Sequence, residues 1–285
     1  MGPSDETPVP PLGDDVVIDL RDGVTEHLLQ QHQQEPTADD AIAVGTDLAH
    51  AEEVIDLRDA RPPSGRPAEL QPGHRMVTIT GGDLWMQAEA FVYDIYRQVH
   101  YCDESPRHRV EELARWESNS RLHAVMDDED EVIGVVRTIF GPYADLPVGQ
   151  FERTDHTHPD PVCELSSLTV RTDVRSTGVI EHLYRAGWLD AFRAGSTTLV
   201  ALIDDWLLDV FKGTYRLPFD IIGVGQEYMG STPVPVAMPL QGHEYQVTAD
   251  ENPDFWAWTL EAVQPGEAER WKLPSLDAAP VGERS

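Results

Sequence analysis

Basic residues are scarce in this sequence. Its 285 residues carry 21 Lys and Arg against 51 Asp and Glu, a formal net charge of −30. A surface so acidic repels nucleic-acid phosphates and anionic lipid headgroups, which argues against a nucleic-acid or membrane-surface binder. Cysteine is scarcer still: Cys102 and Cys163 are the only two, and they form no CxxC. That usage excludes a disulfide framework and a cysteine zinc site. Together with an N-terminus lacking a basic and then apolar stretch, it predicts a cytoplasmic protein. No run of about 20 apolar residues occurs, so no membrane span is expected. Aromatic residues are missing from positions 1–72, a stretch rich in Pro, Asp, Glu, Gln and Ala. Such a segment buries too little apolar surface to offset the entropy of ordering, and residues 1–72 are expected to be a disordered acidic segment.

That segment does contain a repeat. VVIDLRDG at Val16–Gly23 returns as EVIDLRDA at Glu53–Ala60. A short Val-Ile-x-Leu stretch can add as an edge strand to another sheet, and two linked copies raise avidity, so a protein partner of the VIDLRD repeats is one expectation. From residue 73 to 264 the pattern turns globular. Met76–Thr80 reads as a strand. Asp83 is placed to cap a helix running to about Tyr101, with Leu84, Ala88, Phe91, Ile95 and Val99 at helical spacing. A short helix is expected at Pro106–Glu117. Arg121–Asp127 and Glu131–Gly141 read as a β-hairpin, and 142–161 as a Pro- and Asp-rich loop. CELSSLTV reads as a strand, Gly178–Ala194 as a helix stopped by Gly195, and Thr197–Ile203 as a buried strand. A helix capped by Asp204 or Asp205, strands at Phe219–Gly230 and Val234–Leu240, and a flexible tail over 265–285 complete the chain. The order predicts an α/β fold: a mixed central sheet with helices on both faces.

The strand-to-helix junction CELSSLTVRTDVRSTGVIEHL carries the chemistry. A strand that bends into a helix turns backbone N–H groups and the positive end of the helix dipole toward one spot, which favours an anion. Gly178 permits close approach there, and Arg175 adds a permanent charge. The junction stands at the C-terminal end of a central strand, where open α/β sheets bind ligands.

This element order and junction resemble the GNAT acyltransferases, in which a strand leads into an Arg/Gln-x-x-Gly-x-Gly/Ala loop that holds the pyrophosphate of coenzyme A. Arg175, Ser176, Thr177, Gly178 and Val179 match that loop, and Ile180 departs from its final Gly/Ala. VCELSSLTV is similar to the WELSRF.V stretch of the acyl-homoserine-lactone synthases and the related N-acyl amino acid synthases. VIGVVRTIFGP is similar to their GxxRLLP strand and sets Arg137 on the family Arg. The likeness spans residues 76–240. Ser167 stands where the lactone synthases carry Arg, and HYCDESP is only a loose counterpart of their Trp and paired acidic motif. Both departures count against S-adenosylmethionine as acceptor.

The resemblance implies an N-acyltransferase that moves an acyl group from a thioester, on coenzyme A or acyl carrier protein, to an amine of a small metabolite. Two alternatives are a degenerate GNAT-like scaffold recruited through its repeats and a true lactone synthase. Glu164 is the expected general base, and Arg137 its companion or its structural ion-pair partner. Backbone N–H groups at Thr169 and Val170 would meet the oxyanion. Arg171, Arg175, Ser176, Thr177, Gly178 and Val179 would hold the donor, with Arg185 and Arg193 adding basic charge nearby. Tyr228 or Tyr215 would return a proton to the thiolate. Leu168, Trp188, Val200, Leu202 and Met229 are candidates to line an acyl tunnel, and Trp256 and Trp258 to line an acceptor pocket or fill the core. His156 and His158 sit together without a third ligand at regular spacing, so no metal is expected.

Overall fold

Short β-branched runs separated by turns build a sheet, and the amphipathic segments between them cover it. The computed structural model describes residues 18–19, 65–154, 160–174 and 177–275. Its strands are β1 (Ile18–Asp19), β2 (Arg75–Ile79), β3 (Ser120–Met126), β4 (Val132–Gly141), β5 (Val162–Val170), β6 (Thr198–Ile203), β7 (Asp220–Ile221) and β8 (Val234–Pro239). Its helices are α1 (Asp83–Gln98), α2 (Val179–Arg193), α3 (Asp205–Gly213), α4 (Gln246–Glu251), α5 (Pro253–Leu260) and α6 (Glu267–Trp271). The strand order is β2-β3-β4-β5-β6-β8-β7, with β1 added on β5. Neighbours run antiparallel except for the parallel pair β5–β6.

Helices lie on both faces, as the α/β reading expects. Trp85, Ala88, Val92, Ile95 and Tyr96 of α1 pack on Leu122, Val135, Ile139 and Val162 from one side of the sheet. On the other side α2, α3 and α5 close over Cys163, Leu199, Ala201 and Met238. Gly187 lets α2 approach closely, because a Cβ there would sit 2.6 Å from Leu165 Cδ2. Asp190 of α2 ties the helix to the sheet, accepting from Thr138 Oγ1 at 2.9 Å and meeting His123 Nε2 at 3.1 Å and Arg121.

Several details depart from the sequence reading. Gly82, not Asp83, is the N-cap of α1, and the buried stripe runs through Trp85, Glu89 and Val92 instead of Leu84 and Phe91. Around 106–117 the only helical turns are 3-10, at Glu111–Asn119. Only Asp220–Ile221 of Phe219–Gly230 is strand, since Met229 and Gly230 take positive φ and turn the chain. Residues 265–275 are not a loose tail: α6 sets Trp271 against Phe192 at 4.7 Å, and Trp256 Nε1 donates to Pro274 O at 3.0 Å. Residues 65–72, placed with the N-terminal segment by composition, lie on the folded unit through Arg66 with Glu261 and His182 with Ala68. Ile18–Asp19 of the same segment forms β1 on β5. Its other residues, the His156–His158 pair and residues 276–285 lie outside the described residues.

Candidate active site

β5 and β6 pair only from Val162 to Leu165 against Thr198 to Ala201, and then separate. At the same level β5 slips register against β4 between Val135 and Arg137, and Ser167 takes φ 51°. This is a β-bulge, which bends its strand and leaves an extra residue off the ladder. The gap between the two strands is lined by Leu165, Ser166, Ser167 and Leu168 on one side and by Leu202, Ile203, Leu207, Phe211 and Phe219 on the other. Its cavity is only about 40 Å³. A single water needs roughly 10–15 Å³, so an acyl chain enters only if these side chains move apart.

Arg171 donates its backbone N–H to Ile133 O of the β4 side at 3.0 Å. Beyond the bulge successive residues point their amides to opposite edges, so Val170 faces the gap while Thr169 faces β4. Of the two expected oxyanion donors, only Val170 is therefore available. Its edge carries β1, with Ile18 opposite Val170 and Asp19 opposite Thr169.

Glu164 lies on β5 on the α1 face of the sheet and is 1% exposed. Its Oε2 accepts the Val148 N–H at 2.9 Å. Burial of the Tyr143 hydroxyl raises it, and the Glu164 charge adds to that shift. The Arg137–Glu164 ion pair, the structural alternative offered by the sequence, does not form. Arg137, also 1% exposed, donates from Nη2 to Glu89 Oε1 at 2.9 Å, and its guanidinium sits 5.6 Å from the Trp85 ring. Arg109 adds a longer contact to Glu89 at 3.9 Å. Glu89 escaped the sequence reading, yet a signal existed: a carboxylate in the Trp85-Ala88-Glu89-Val92 stripe must meet a buried cation. Among the described residues, Arg137 Nε and Nη1, Trp85 Nε1 and Ser167 Oγ are buried with no hydrogen-bond partner. Such groups are rare in folded proteins, and each asks for a ligand, a water or strain to explain it.

The expected phosphate cradle is only partly as read. Arg175 and Ser176 lie outside the described residues. Gly178 is the N-cap of α2 at φ 83°, and no side chain caps this end, so the first amides of α2, beginning at Val179, have no partner inside the helix. The Val179 side chain is itself buried. Thr177 turns inward, its hydroxyl donating to Val174 O. The close approach that Gly178 permits is made by the chain itself: a Cβ there would collide with the Ala68 carbonyl oxygen. Arg171 is engaged as well, gripping Asp173 at 2.7 and 3.0 Å and reaching Asp127 at 3.5 Å. Arg185 and Arg193 offer no basic face. Arg185 stacks 3.6 Å from the Trp258 ring centre and is pulled down to about 10 by burial, and Arg193 grips Glu267.

Tyr228 packs edge-on against Phe151 at 5.7 Å, in the α1-side core that also holds Val148. Tyr215 is committed elsewhere, donating to Glu181 at 2.7 Å. Of the tunnel candidates, Leu168 and Leu202 line the gap, whereas Trp188 joins the aromatic core with Tyr245 and Trp256, and Val200 and Met229 belong to the α1 side. Trp256 and Trp258 are core residues. Both cysteines are free and buried, and burial pushes the Cys163 thiol well up.

This architecture has solved counterparts. BjaI, a CoA-dependent acyl-homoserine lactone synthase, matches in its structure with MTA at TM-score 0.50 and 15% identity, over 64% of this chain and 90% of that one. Its structure with SAM and isopentyl-CoA matches at TM-score 0.50 and 14% identity over the same shares. The chain has the fold of an acyl-homoserine lactone synthase. FeeM, an N-acyl amino acid synthase from uncultured soil microbes, matches at TM-score 0.44 and 14% identity, over 66% of this chain and 97% of that one. No protein-family model matches the sequence, and no curated protein matches it. The GNAT-type fold expected from the junction is thus the observed one, and within it the gap beside β5 and the bulge fall together.

Proposed function

We propose that the protein is an N-acyltransferase that moves an acyl group from a pantetheine thioester, acyl-CoA first, to the amine of a small metabolite. One observation carries this reading: β5 and β6 part at a bulge, so that the β5 edge at Val170 is not taken by β6, and β5 leads on into a helix whose first amides no side chain caps. A pantetheine arm is an extended chain with amide groups and bonds a strand edge as a peptide does, while its diphosphate suits a helix start. BjaI, of the same fold, was solved with isopentyl-CoA.

In this reading Glu164 takes the proton from the incoming amine, directly or through a water, while the Val148 N–H holds the carboxylate in place. The amine nitrogen attacks the thioester carbonyl carbon, and the charge that develops on oxygen is met by the β5 edge at Val170. The C–S bond then breaks, and the thiolate takes a proton from an acid, for which Tyr228 is the candidate. Arg137 acts through Glu89 and Trp85 as a positioning residue for the bulge. Ser167, in place of the Arg of the lactone synthases, argues for an acceptor other than S-adenosylmethionine. The test is mass spectrometry of acylated small metabolites in cells expressing the wild type beside Glu164→Ala. An acylated amine that disappears in the variant supports the reading; no difference between the two overturns it.

A second reading has its own observation. Ala68 covers Gly178, Arg171 is neutralised and β1 sits on the Val170 edge, as in a GNAT-like fold retained for binding alone. It requires that Glu164→Gln leave the biological role intact.

A further inference from the structure

The corner assigned to the thioester is already occupied by the chain's own N-terminal arm, and at two separate places. At the strand, Ile18 lies opposite Val170 and Asp19 opposite Thr169 in an antiparallel pair. Because Val170 faces the gap and Thr169 faces β4, Ile18 is the residue whose backbone N–H and C=O meet Val170. At the helix, residues 65–70 cross the start of α2. The Ala68 carbonyl lies against Gly178 and is 3.2 Å from His182 Nε2, and Leu70 packs on the cluster of Val170, Val174 and Val179. Arg66 anchors this crossing through Glu261 at 2.9 Å. The strand edge and the helix start are the two features a pantetheine diphosphate needs, and a segment of this chain covers each.

We propose that the strand Ile18–Asp19, which belongs to the first VIDLRD copy, is an intramolecular occupant of the β5 edge that excludes the acyl thioester, so that donor binding requires this strand to leave. The inference rests on reading this corner as a thioester site. A peptide strand and a pantetheine arm both satisfy the Val170 amide and carbonyl, and only one can do so at a time. The crossing at Ala68 tethers the arm beside its dock, which gives a segment with few contacts a high effective concentration. The second copy at Val54–Asp59 repeats the same VIDLRD, so its Ile55 is changed together with Ile18 in the test.

The test uses the full chain with Ile18→Pro and Ile55→Pro together, since proline has no N–H to offer the strand edge. Two quantities are measured on this variant and on the wild type: hydrogen exchange at Leu168–Val170 without ligand, and octanoyl-CoA affinity by calorimetry. The expected result is faster exchange at Val170 and tighter binding in the variant, about 10-fold if the arm is docked roughly nine-tenths of the time. Unchanged exchange overturns the docking. Faster exchange with an unchanged, measurable affinity overturns the competition. Faster exchange with no octanoyl-CoA binding to either protein sinks the thioester reading, and the competition with it, while the strand docking stands.

Discussion

Two single side chains bear most of the chemical argument. Glu164→Gln keeps an acceptor for the Val148 N–H and removes the base, so we expect kcat to fall by about 10²–10⁴ with little change in thermal unfolding. A steady-state assay beside a calorimetric melt separates the two; a matching loss of both would mean that Glu164 is structural. His182 gives a pH signature. Its Nδ1 accepts from Arg185 and its Nε2 faces the Ala68 carbonyl, and burial, with the Arg185 charge second, holds it below its ordinary value of 6.5. The unfolded chain therefore takes up a proton first as pH falls through 6.5, and stability is lost below that value and kept above it. Denaturant unfolding between pH 7.5 and 5 should show the decline, and His182→Gln should flatten it. At this scale the sequence placed Glu164 and Arg137 on strands, as the structure does, and offered a pair between them as one reading. The register explains its absence: Glu164 stands opposite Ile139 and Arg137 opposite Ser166, and the cation turns to Glu89 of α1.

At the scale of elements, the join between α1 and the sheet hangs on that buried pair. Glu89→Ala leaves the Arg137 charge in an apolar surround and should cost about 3–5 kcal/mol, whereas Glu89→Leu with Arg137→Met should recover most of it. Urea melts of the three proteins check this. The start of α2 is a second such point. Gly178→Ala forces a Cβ into φ 83° and into the Ala68 carbonyl, and should destabilise by roughly 1–3 kcal/mol. Most elements were legible from periodicity and turn residues, including the hairpin β3–β4 and the run β5–α2–β6. The rotation of α1 was not, because Leu84, Phe91 and Val99 make an apolar stripe as good as the true one, and only the sheet beneath decides which is buried. Trp256 and Trp258 gave no signal of α5 beyond their size, because a helix apolar nearly all round has no periodic face to read.

For the whole molecule, charge bears on which donor the proposed transfer would use. A net charge of −30 repels an acidic carrier protein, and among the described residues Arg171, Arg185 and Arg193 are each paired. Transfer from acyl carrier protein should therefore be slower than from acyl-CoA at low ionic strength and should rise as salt goes from 20 to 200 mM, where the screening length falls to about 7 Å. Initial rates with both donors across that range check it. The sequence by itself determined the class of fold, the order of its central elements and the strand that carries the candidate base, because alternation, caps and glycine bends are local properties. Only the tertiary structure decided who touches whom: that Glu89 takes Arg137, that Asp173 takes Arg171, and that the chain's own arm lies on the Val170 edge and over Gly178. These are meetings of residues far apart in the chain, set by strand register and helix rotation, and no local pattern encodes them.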